Sequence, residues 1–330
     1  MPLTRRNPVG DSPTPPLGDC PVGIDRVAAS APLYDLPSLA TWDKDVRRNR
    51  STWRKELRVH GAPVWLSISR NGSGSPARIR CEYNPRRLSD PMGWQACPVD
   101  DFAGVFDAVA EAVERAVPVV LDGSAVLRRL DVVRDFETED ASFFIEKQIP
   151  LRRRFSRRTT VYFNPVTSRA ETLYVGGKRS FATLYDKRVE LARRGIDTTL
   201  VPDGTLRFEI RAGSRWLEKY GAMEQVSDVT PDAVHRFARD RWSWSRFGTT
   251  LAPLDAFLAA VRLLDVPAIT KCGIVGDSVF RDHGLPMPLS AWKRGVHDRA
   301  LRQLDLELVG EAQPALRLDF EMGRAVMVPM

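Results

Sequence analysis

Apolar and polar residues alternate in several segments of the first two-thirds of the chain. From Thr205 to Ala212 every second residue is apolar, and Arg207, Glu209 and Arg211 lie between them. A period of two places these charged side chains on one face of a strand and the apolar side chains on the other. Comparable segments predict further strands over 23–27, 63–70, 77–84 and 127–136.

A hairpin and a short helix are predicted in the middle of the chain. Glu171–Val175 and Ser180–Asp186 form the two arms, and Gly176-Gly177-Lys178-Arg179 between them has the composition of a turn. The helix follows directly over Lys187–Arg194. It ends at Gly195, a residue that favours a C-terminal helix cap.

Longer helices are predicted before and after this hairpin. Over Asp100–Val117 apolar residues recur every three or four positions, and an acidic residue is available to cap the start. Beyond residue 230 the pattern is helical only. A cap is predicted at Thr230-Pro231, and further helices over 254–264 and 291–309.

This order of elements predicts an α+β fold with an antiparallel sheet and packed helices. We expect the sheet and its helices to occupy residues 23–225 and a mainly helical subdomain to occupy residues 226–330. Residues 1–22 are rich in proline and are expected to form a disordered tail.

Composition adds a chemical preference to this fold. The 330-residue chain has a formal net charge of +7, and 41 of its 49 basic residues are arginine. Arginine binds phosphate through paired hydrogen bonds, which favours polyanionic partners. GC-rich coding DNA would give the same arginine bias. No segment is long and apolar enough to span a membrane and none resembles a signal peptide, so we expect a cytoplasmic protein.

Common catalytic motifs are absent from the sequence. It contains no Walker A loop, no Gly-x-Gly-x-x-Gly after a strand, no His-Glu-x-x-His and no Gly-x-Ser-x-Gly. The four cysteines form no Cys-x-x-Cys pair, and the four histidines have no ligand spacing. A zinc site and a histidine-based triad are therefore poorly supported.

Three predicted strands carry an acidic residue two positions after a basic one. These acidic residues are Glu82, Asp131 and Glu209. If the strands share a sheet, their carboxylates point to the same face and would suit Mg²⁺ or Mn²⁺, which prefer oxygen ligands. The alternative is a half-exposed sheet face on which cross-strand ion pairs satisfy the same carboxylates.

Tyr185 lies in the second arm of the predicted hairpin, followed by Lys187 and Glu190. A tyrosine has a pKa near 10 and becomes a nucleophile when a cation assists its ionisation. Lys187 would supply that charge if the strand continued through it. A strand tyrosine otherwise serves in packing.

Several motifs in this order resemble the phage and plasmid replication initiation proteins, specifically the gene II/gene X family of filamentous bacteriophages. More distantly they are similar to the rolling-circle initiators of staphylococcal plasmids. The motifs are Arg80–Pro85, Leu127–Asp131, Thr172–Gly176, Thr183–Glu190, Leu206–Arg211 and Arg215–Gly221.

The resemblance implies a rolling-circle nuclease core that nicks origin DNA. A tyrosine attacks one strand, stays linked to the 5′-phosphate and leaves a 3′-hydroxyl primer, and the enzyme later rejoins the strand. Tyr185 matches the nucleophile, with Lys187 and Glu190 in the same motif. Glu82, Asp131 and Glu209 match the acidic positions that would hold Mg²⁺ or Mn²⁺. The implied partners are origin DNA, a host helicase and a replication polymerase in a bacterial cytoplasm.

Basic segments supply candidate DNA contacts outside this motif set. Arginines beside an aromatic residue suit phosphate binding and base stacking. The candidates are Trp53, Arg152, Arg153, Arg154, Arg157, Arg158, Arg207 and Arg211. The run 151–158 is expected to connect two strands, and residues 41–58 have no clear period. A solvated basic face and salt bridges are the alternatives for these arginines.

Three other functions stay open at this point. One is a relaxase of a mobile element with the same fold, which would use the same chemistry. Another is a non-catalytic protein that binds origin or single-stranded DNA, and the third is an RNA-binding protein. The C-terminal region is shorter than in a full gene II protein, and the Pro-rich tail has no counterpart in that family.

Overall fold

The computed structural model of the protein describes residues 22–35, 37–47, 50–70, 77–90, 94–155, 159–177, 180–282, 291–308 and 315–328. These residues form an α+β fold around a large, mostly antiparallel sheet. The predicted α+β class is therefore confirmed. None of the helices in these ranges is long and apolar enough to cross a membrane.

The first half of the sheet comes from residues 23–98. Its strands are β1 (Gly23–Pro32), β2 (Asp43–Arg47), β3 (Arg50–Val59), β4 (Ala62–Arg70), β5 (Arg78–Tyr83) and the two-residue β6 (Cys97–Pro98). Two helices follow β5 and are α1 (Pro85–Ser89) and α2 (Phe102–Ala116). A 3₁₀ turn at Val99–Asp101 leads into α2.

The second half repeats this plan. Its strands are β7 (Val126–Glu137), β8 (Thr159–Phe163), β9 (Ala170–Gly176), β10 (Phe181–Asp186) and β11 (Thr205–Gly213). Its helices are α3 (Ala141–Phe155), α4 (Lys187–Arg193), α5 (Ser214–Trp216) and α6 (Pro231–Ser245). A π-helical turn at Leu217–Gly221 and a 3₁₀ turn at Val226–Asp228 lie between α5 and α6.

The two halves share their strand order and their register. Counted outward from the centre, the first half runs β1, β5, β4, β3, β2 and the second runs β7, β11, β10, β9, β8. At the centre Val27 lies opposite Leu130. On one side of this pair Ala28 lies opposite Arg129, and on the other side Arg26 lies opposite Asp131. These ten strands are therefore two-fold symmetric about the Val27–Leu130 pair.

Bulges in the two central strands obey the same symmetry. Asp25 is an extra residue in β1, because Ile24 and Arg26 pair with consecutive residues of β7. Arg128 is an extra residue in β7, because its neighbours pair with the consecutive residues Ala28 and Ala29 of β1. A bulge turns a side chain out of the regular alternation and bends the strand.

One face of the sheet is covered by helices and forms the main core. Phe102 and Phe106 of α2 and Phe237 of α6 are buried in it. Trp242 of α6 stacks on Phe136 of β7, with ring centres 4.7 Å apart. Apolar residues alternate along the strands beneath these helices, which is the period of two that the sequence displays.

Two segments differ from the sequence prediction. Residues 41–58 contain the β2–β3 hairpin, although they show no clean alternation. The basic run predicted as a link between strands begins inside α3, which extends to Phe155. Strand pairing stabilises the hairpin, and packing of one helix face stabilises α3. The local sequence indicates neither of these contributions.

The C-terminal region contains strands as well as helices. The helices are α7 (Leu254–Leu263), α8 (Ala268–Asp282) and α9 (Ala291–Leu304), and the strands are β12 (Thr250–Ala252), β13 (Leu306–Leu308), β14 (Leu316–Asp319) and β15 (Arg324–Met327). The prediction of helices alone was therefore wrong, because strands of three or four residues are too short to show alternation. Phe257, Val261 and Ile274 build a second core, whereas α6 packs in the first.

Candidate active site on the polar face

The face of the sheet opposite the helices carries charged and hydroxyl side chains, and we call it the polar face. Its members include Ser67, Ser69, Arg78, Arg80, Glu82, Arg129, Asp131, Thr183, Tyr185, Arg207, Glu209 and Arg211. The residues that alternate with them are buried in the core, as Ile79, Leu130, Leu184 and Phe208 are. The candidate catalytic and metal-binding residues on the sheet strands thus lie on one face.

Tyr185 and Glu209 are in direct contact on this face. The Tyr185 hydroxyl donates a hydrogen bond to Glu209 Oε2 at 3.1 Å. Burial and the charge of Glu209 raise the pKa of Tyr185, whose residue is 8% exposed. Burial and the nearby Asp25 and Asp131 raise the pKa of Glu209 to about 7. Glu209 therefore gains and loses its proton near neutral pH.

Lys187 and Glu190 lie at the start of α4, directly after the strand that carries Tyr185. Asp186 caps this helix by accepting a hydrogen bond from Val189 N at 3.0 Å. Lys187 Nζ donates to Glu190 Oε2 at 2.9 Å and lies 5.9 Å from the centre of the Tyr185 ring. Burial and the charge of Arg207 lower the pKa of Lys187. A buried cation thus stands beside the phenol.

The other two carboxylates are joined to arginines. Arg129 Nε donates to Asp131 Oδ1 at 2.7 Å, and Arg129 Nη1 donates to Glu82 Oε1 at 3.3 Å. Arg211 Nε donates to Asp131 Oδ2 at 3.4 Å and lies 3.8 Å through Nη2 from Glu209 Oε1. Acidic and basic side chains therefore alternate across the sheet from Glu82 to Glu209.

This arrangement bears on the predicted metal. Within the described ranges, no three His, Cys, Asp or Glu side chains are grouped closely enough to hold a metal ion. Arg129 and Arg211 stand between Glu82, Asp131 and Glu209 and occupy their oxygens. In this arrangement the carboxylate oxygens are paired with arginines, and Mg²⁺ or Mn²⁺ stays a prediction of the resemblance.

Arg207 is a structural residue, which corrects its prediction as a DNA contact. Its guanidinium pairs with Asp135 through two hydrogen bonds of 2.6 Å, and Nη2 also donates to the Trp94 carbonyl at 3.2 Å. The residue is fully buried. Because the guanidinium is buried and already forms a bidentate pair with a carboxylate, it is not accessible to a DNA phosphate.

Asp25 is a site residue that the sequence analysis missed. The bulge in β1 places it near Arg207 and Lys187. Burial alone would raise the pKa of Asp25, but the charges of Arg207, Lys187, Arg86 and Arg26 together lower it. Asn84 Nδ2 donates to Asp25 Oδ1 at 3.4 Å. Periodicity cannot reveal such a residue, because a bulge is a departure from the period.

The remaining candidate DNA contacts on the strands lie on different faces of the sheet. Trp53 lies on the helix-covered face and packs against the core, so it does not face the same side as Tyr185. Trp65, which the sequence analysis did not single out, lies opposite Glu82 on the polar face and is 52% exposed. Arg211 stays on that face, half-buried and 4.7 Å from the centre of the Phe181 ring.

The basic run falls largely beyond what the structure describes. Arg152, Arg153 and Arg154 belong to α3, but their side chains lie outside the described set, and Arg157 and Arg158 lie outside the described residues altogether. Their predicted role in DNA binding stays a prediction.

Comparison with known proteins adds little to this description. No family model matches the chain, and no curated protein matches it. Among solved structures the chain is similar to Methanococcus jannaschii TBP, with 10% sequence identity and a TM-score of 0.28, over 67% of this chain and 99% of that chain. So weak a likeness carries no argument about the fold or the function of this chain.

Proposed function

We propose that this protein is a rolling-circle replication initiator that nicks and rejoins one strand of origin DNA. The hydrogen bond from Tyr185 to Glu209 is the observation that carries the proposal. It joins a nucleophile to a carboxylate whose pKa of about 7 suits a general base at neutral pH. In this proposal the sheet is a rolling-circle nuclease core of the type that the motif order resembles.

The proposed reaction is a phosphoryl transfer with a balanced proton path. Glu209 accepts the phenolic proton as Tyr185 Oη attacks the phosphorus of a phosphodiester. The bond from phosphorus to the 3′ oxygen breaks, and the leaving oxygen takes a proton from solvent. The products are a 5′-phosphotyrosine and a free 3′-hydroxyl. Because the new ester keeps the energy of the broken bond, the reverse attack rejoins the strand.

Nearby cations support the transferred phosphate in this scheme. Lys187 stands beside the Tyr185 ring, and Arg211 lies half-buried next to Glu209. Guanidinium and ammonium groups stabilise the charge that develops on phosphate oxygens. Origin DNA is the proposed substrate, and a host helicase and polymerase would extend the 3′-hydroxyl. A relaxase of a mobile element would use the same step on a different DNA.

A second candidate is a DNA-binding protein without catalysis. Two observations favour it: Tyr185 is only 8% exposed, and arginines already pair with Asp131 and Glu82. Such pairs are also what the cross-strand salt-bridge alternative predicts. The two candidates differ in one outcome, the formation of a covalent bond to DNA.

The deciding experiment uses supercoiled plasmid that carries the region around the protein's own gene. Purified protein is incubated with Mg²⁺ or with chelator, and denaturing gels reveal nicked circles and protein attached to DNA. We expect nicking and a 5′ adduct with Mg²⁺. Both should disappear in the Tyr185→Phe variant, which keeps its DNA affinity because it lacks only the hydroxyl. Tyr162→Phe is the matched control, an exposed tyrosine that keeps full activity.

Other outcomes assign the activity differently. A nick that survives Tyr185→Phe would move the nucleophile to another residue. Binding without a nick would establish the non-catalytic candidate. Nicking that persists in chelator would show that the arginine-paired carboxylates are the working arrangement and that no metal is required.

A further inference from the structure

A second cluster of basic residues lies on the polar face, across the sheet from Tyr185. Arg128 Nε donates to the Ser30 hydroxyl at 2.7 Å, and Arg78 Nη2 donates to the Ser30 carbonyl at 3.3 Å. Arg80 lies directly opposite Ser30 in the sheet. We call Arg78, Arg80 and Arg128 the arginine cluster.

The charge of this cluster is poorly compensated. Arg80 pairs with Glu82 at 2.9 Å. Among the described carboxylates, neither Arg78 nor Arg128 has an ion-pair partner. The Nε of Arg78 is buried and donates to nothing in the described structure. A buried donor without an acceptor is unfavourable, and an incoming anion would supply the missing acceptor.

The arginines also repel one another. The pKa of Arg128 is lowered by burial and then by the charges of Arg78 and Arg80. The same charges would attract a group with several acceptor oxygens. Arg80 keeps 42% of its side chain exposed, so the cluster is open to solvent on the polar face.

Symmetry relates this cluster to the candidate active site. Ser69 and Arg78 form a cross-strand pair that corresponds to Tyr185 and Arg207. Along the same strands, Arg80 lies two residues beyond Arg78, as Glu209 lies two residues beyond Arg207. The two half-sites therefore have the same backbone plan.

The bulged residues complete the correspondence. Arg128 is the bulge of β7, as Asp25 is the bulge of β1. The arginine cluster thus has arginines at the positions that correspond to Asp25 and Glu209 in the candidate active site, and Ser69 at the position that corresponds to Tyr185. The acidic groups suited to accept a proton are replaced by groups suited to bind an anion.

We propose that the arginine cluster binds a backbone phosphate of the same DNA strand whose scissile phosphate lies at Tyr185. The inference rests on the proposed function, because it names a further contact of that substrate. Glu209 and Arg80 lie three strands apart across the sheet and seven residues apart along it. The distance between them is therefore roughly 25–30 Å. A stacked strand covers this distance in about eight nucleotides.

The test measures DNA binding in the Tyr185→Phe background, where no cleavage interferes. Arg78→Gln and Arg128→Gln are combined in one variant. The matched control combines Arg115→Gln and Arg239→Gln, two exposed arginines on α2 and α6 that cover the other face. Affinity is measured by fluorescence anisotropy with single strands of about 5 and about 20 nucleotides, at several salt concentrations.

We expect the cluster variant to bind the long strand about tenfold more weakly, with the salt slope reduced by about 0.7, since the loss of one phosphate contact on a single strand removes about that much. The cluster variant should bind the short strand with unchanged affinity. The control variant should bind both strands as tightly as the parent protein does. Lysine at both positions should restore part of the loss. Thermal unfolding confirms that each variant is folded.

Three results would overturn the proposal. One is an unchanged affinity for the long strand, and another is an equal loss with both strands. The third is competition by inorganic phosphate without any effect of the variants on DNA, which would reduce the cluster to an ion site. Failure of the proposed function looks different: the parent protein would not nick plasmid, while the length-dependent loss in the cluster variant would persist.

Discussion

At the scale of single residues, burial changes the proton affinity of Tyr185 and Glu209 in the same direction. Both pKa values are raised, and the hydrogen bond between the two groups shares one proton. Alternation in the sequence placed both residues on strands, and the resemblance to the initiator family singled out Tyr185 as the nucleophile. Alternation could not identify Asp25, whose charge helps to raise the pKa of Glu209, because a bulge leaves no periodic signal.

Nicking should depend on the ionisation of Glu209. Its deprotonated form accepts the phenolic proton, so the rate should rise as pH increases through about 7 and level off above it. Glu209→Gln should remove this pH dependence and slow nicking by about 100-fold or more. Rates of plasmid nicking between pH 5 and 9 provide the measurement. A parent rate that falls through this range would contradict the role of Glu209 as the base.

The same ionisation affects stability in the opposite sense. The folded state holds the Glu209 proton up to a pH of about 7, above its ordinary value of 4.5. Its contribution to stability is therefore full below pH 4.5 and is lost as pH rises through 7. Glu209→Gln should raise the melting temperature relative to the parent at pH 8 and leave it equal at pH 4.

Arg207 and Arg211 lie on the same strand, but Arg207 forms a buried ion pair and Arg211 a half-exposed one. Arg207→Ala leaves Asp135 buried without its partner, so we expect a loss of about 3–5 kcal/mol in the free energy of unfolding. Arg211→Ala breaks a half-exposed pair and should cost less than about 1 kcal/mol. Denaturant unfolding of both variants compares them. Equal losses would show that Arg207 is not the structural member of the pair.

At the scale of elements, alternation predicted the central strands and the face on which their charges lie. Alternation failed to predict the elements whose stability depends on tertiary packing. The hairpin of β2 and β3 has no clean period, and α3 extends into a basic run because its other residues, such as Phe144 and Ile145, pack on the sheet. The short C-terminal strands have too few residues to produce a pattern.

The two tryptophans of β3 and β4 test which face binds DNA. Trp53 packs against the core, so Trp53→Ala should lower the free energy of unfolding by about 2–4 kcal/mol with no change in DNA affinity at temperatures where the variant is folded. Trp65→Ala should weaken binding of single-stranded DNA by about 1–3 kcal/mol and leave stability nearly unchanged, because Trp65 is exposed. Anisotropy and thermal unfolding measure both. The reverse pattern would place DNA on the helix-covered side.

At the scale of the whole molecule, the two-fold symmetry of the sheet is a feature that the amino-acid sequence does not indicate. The halves match in strand order, in register and in the positions of both bulges, yet some residues at matching positions, such as Arg80 and Glu209, have opposite charge. Symmetry of this kind depends on backbone pairing, which many side chains permit.

The central bulges also have a consequence for the ancestry of the chain. Asp25 belongs to the first half but acts among the residues of the second, and Arg128 belongs to the second but contacts Ser30 of the first. Each site is thus shared between halves, as in a homodimer whose active sites lie at the subunit interface. The chain has the form of such a dimer joined into one polypeptide, which is the arrangement that gene duplication and fusion produce. In the proposed function, one site carries the chemistry and the other anchors the substrate.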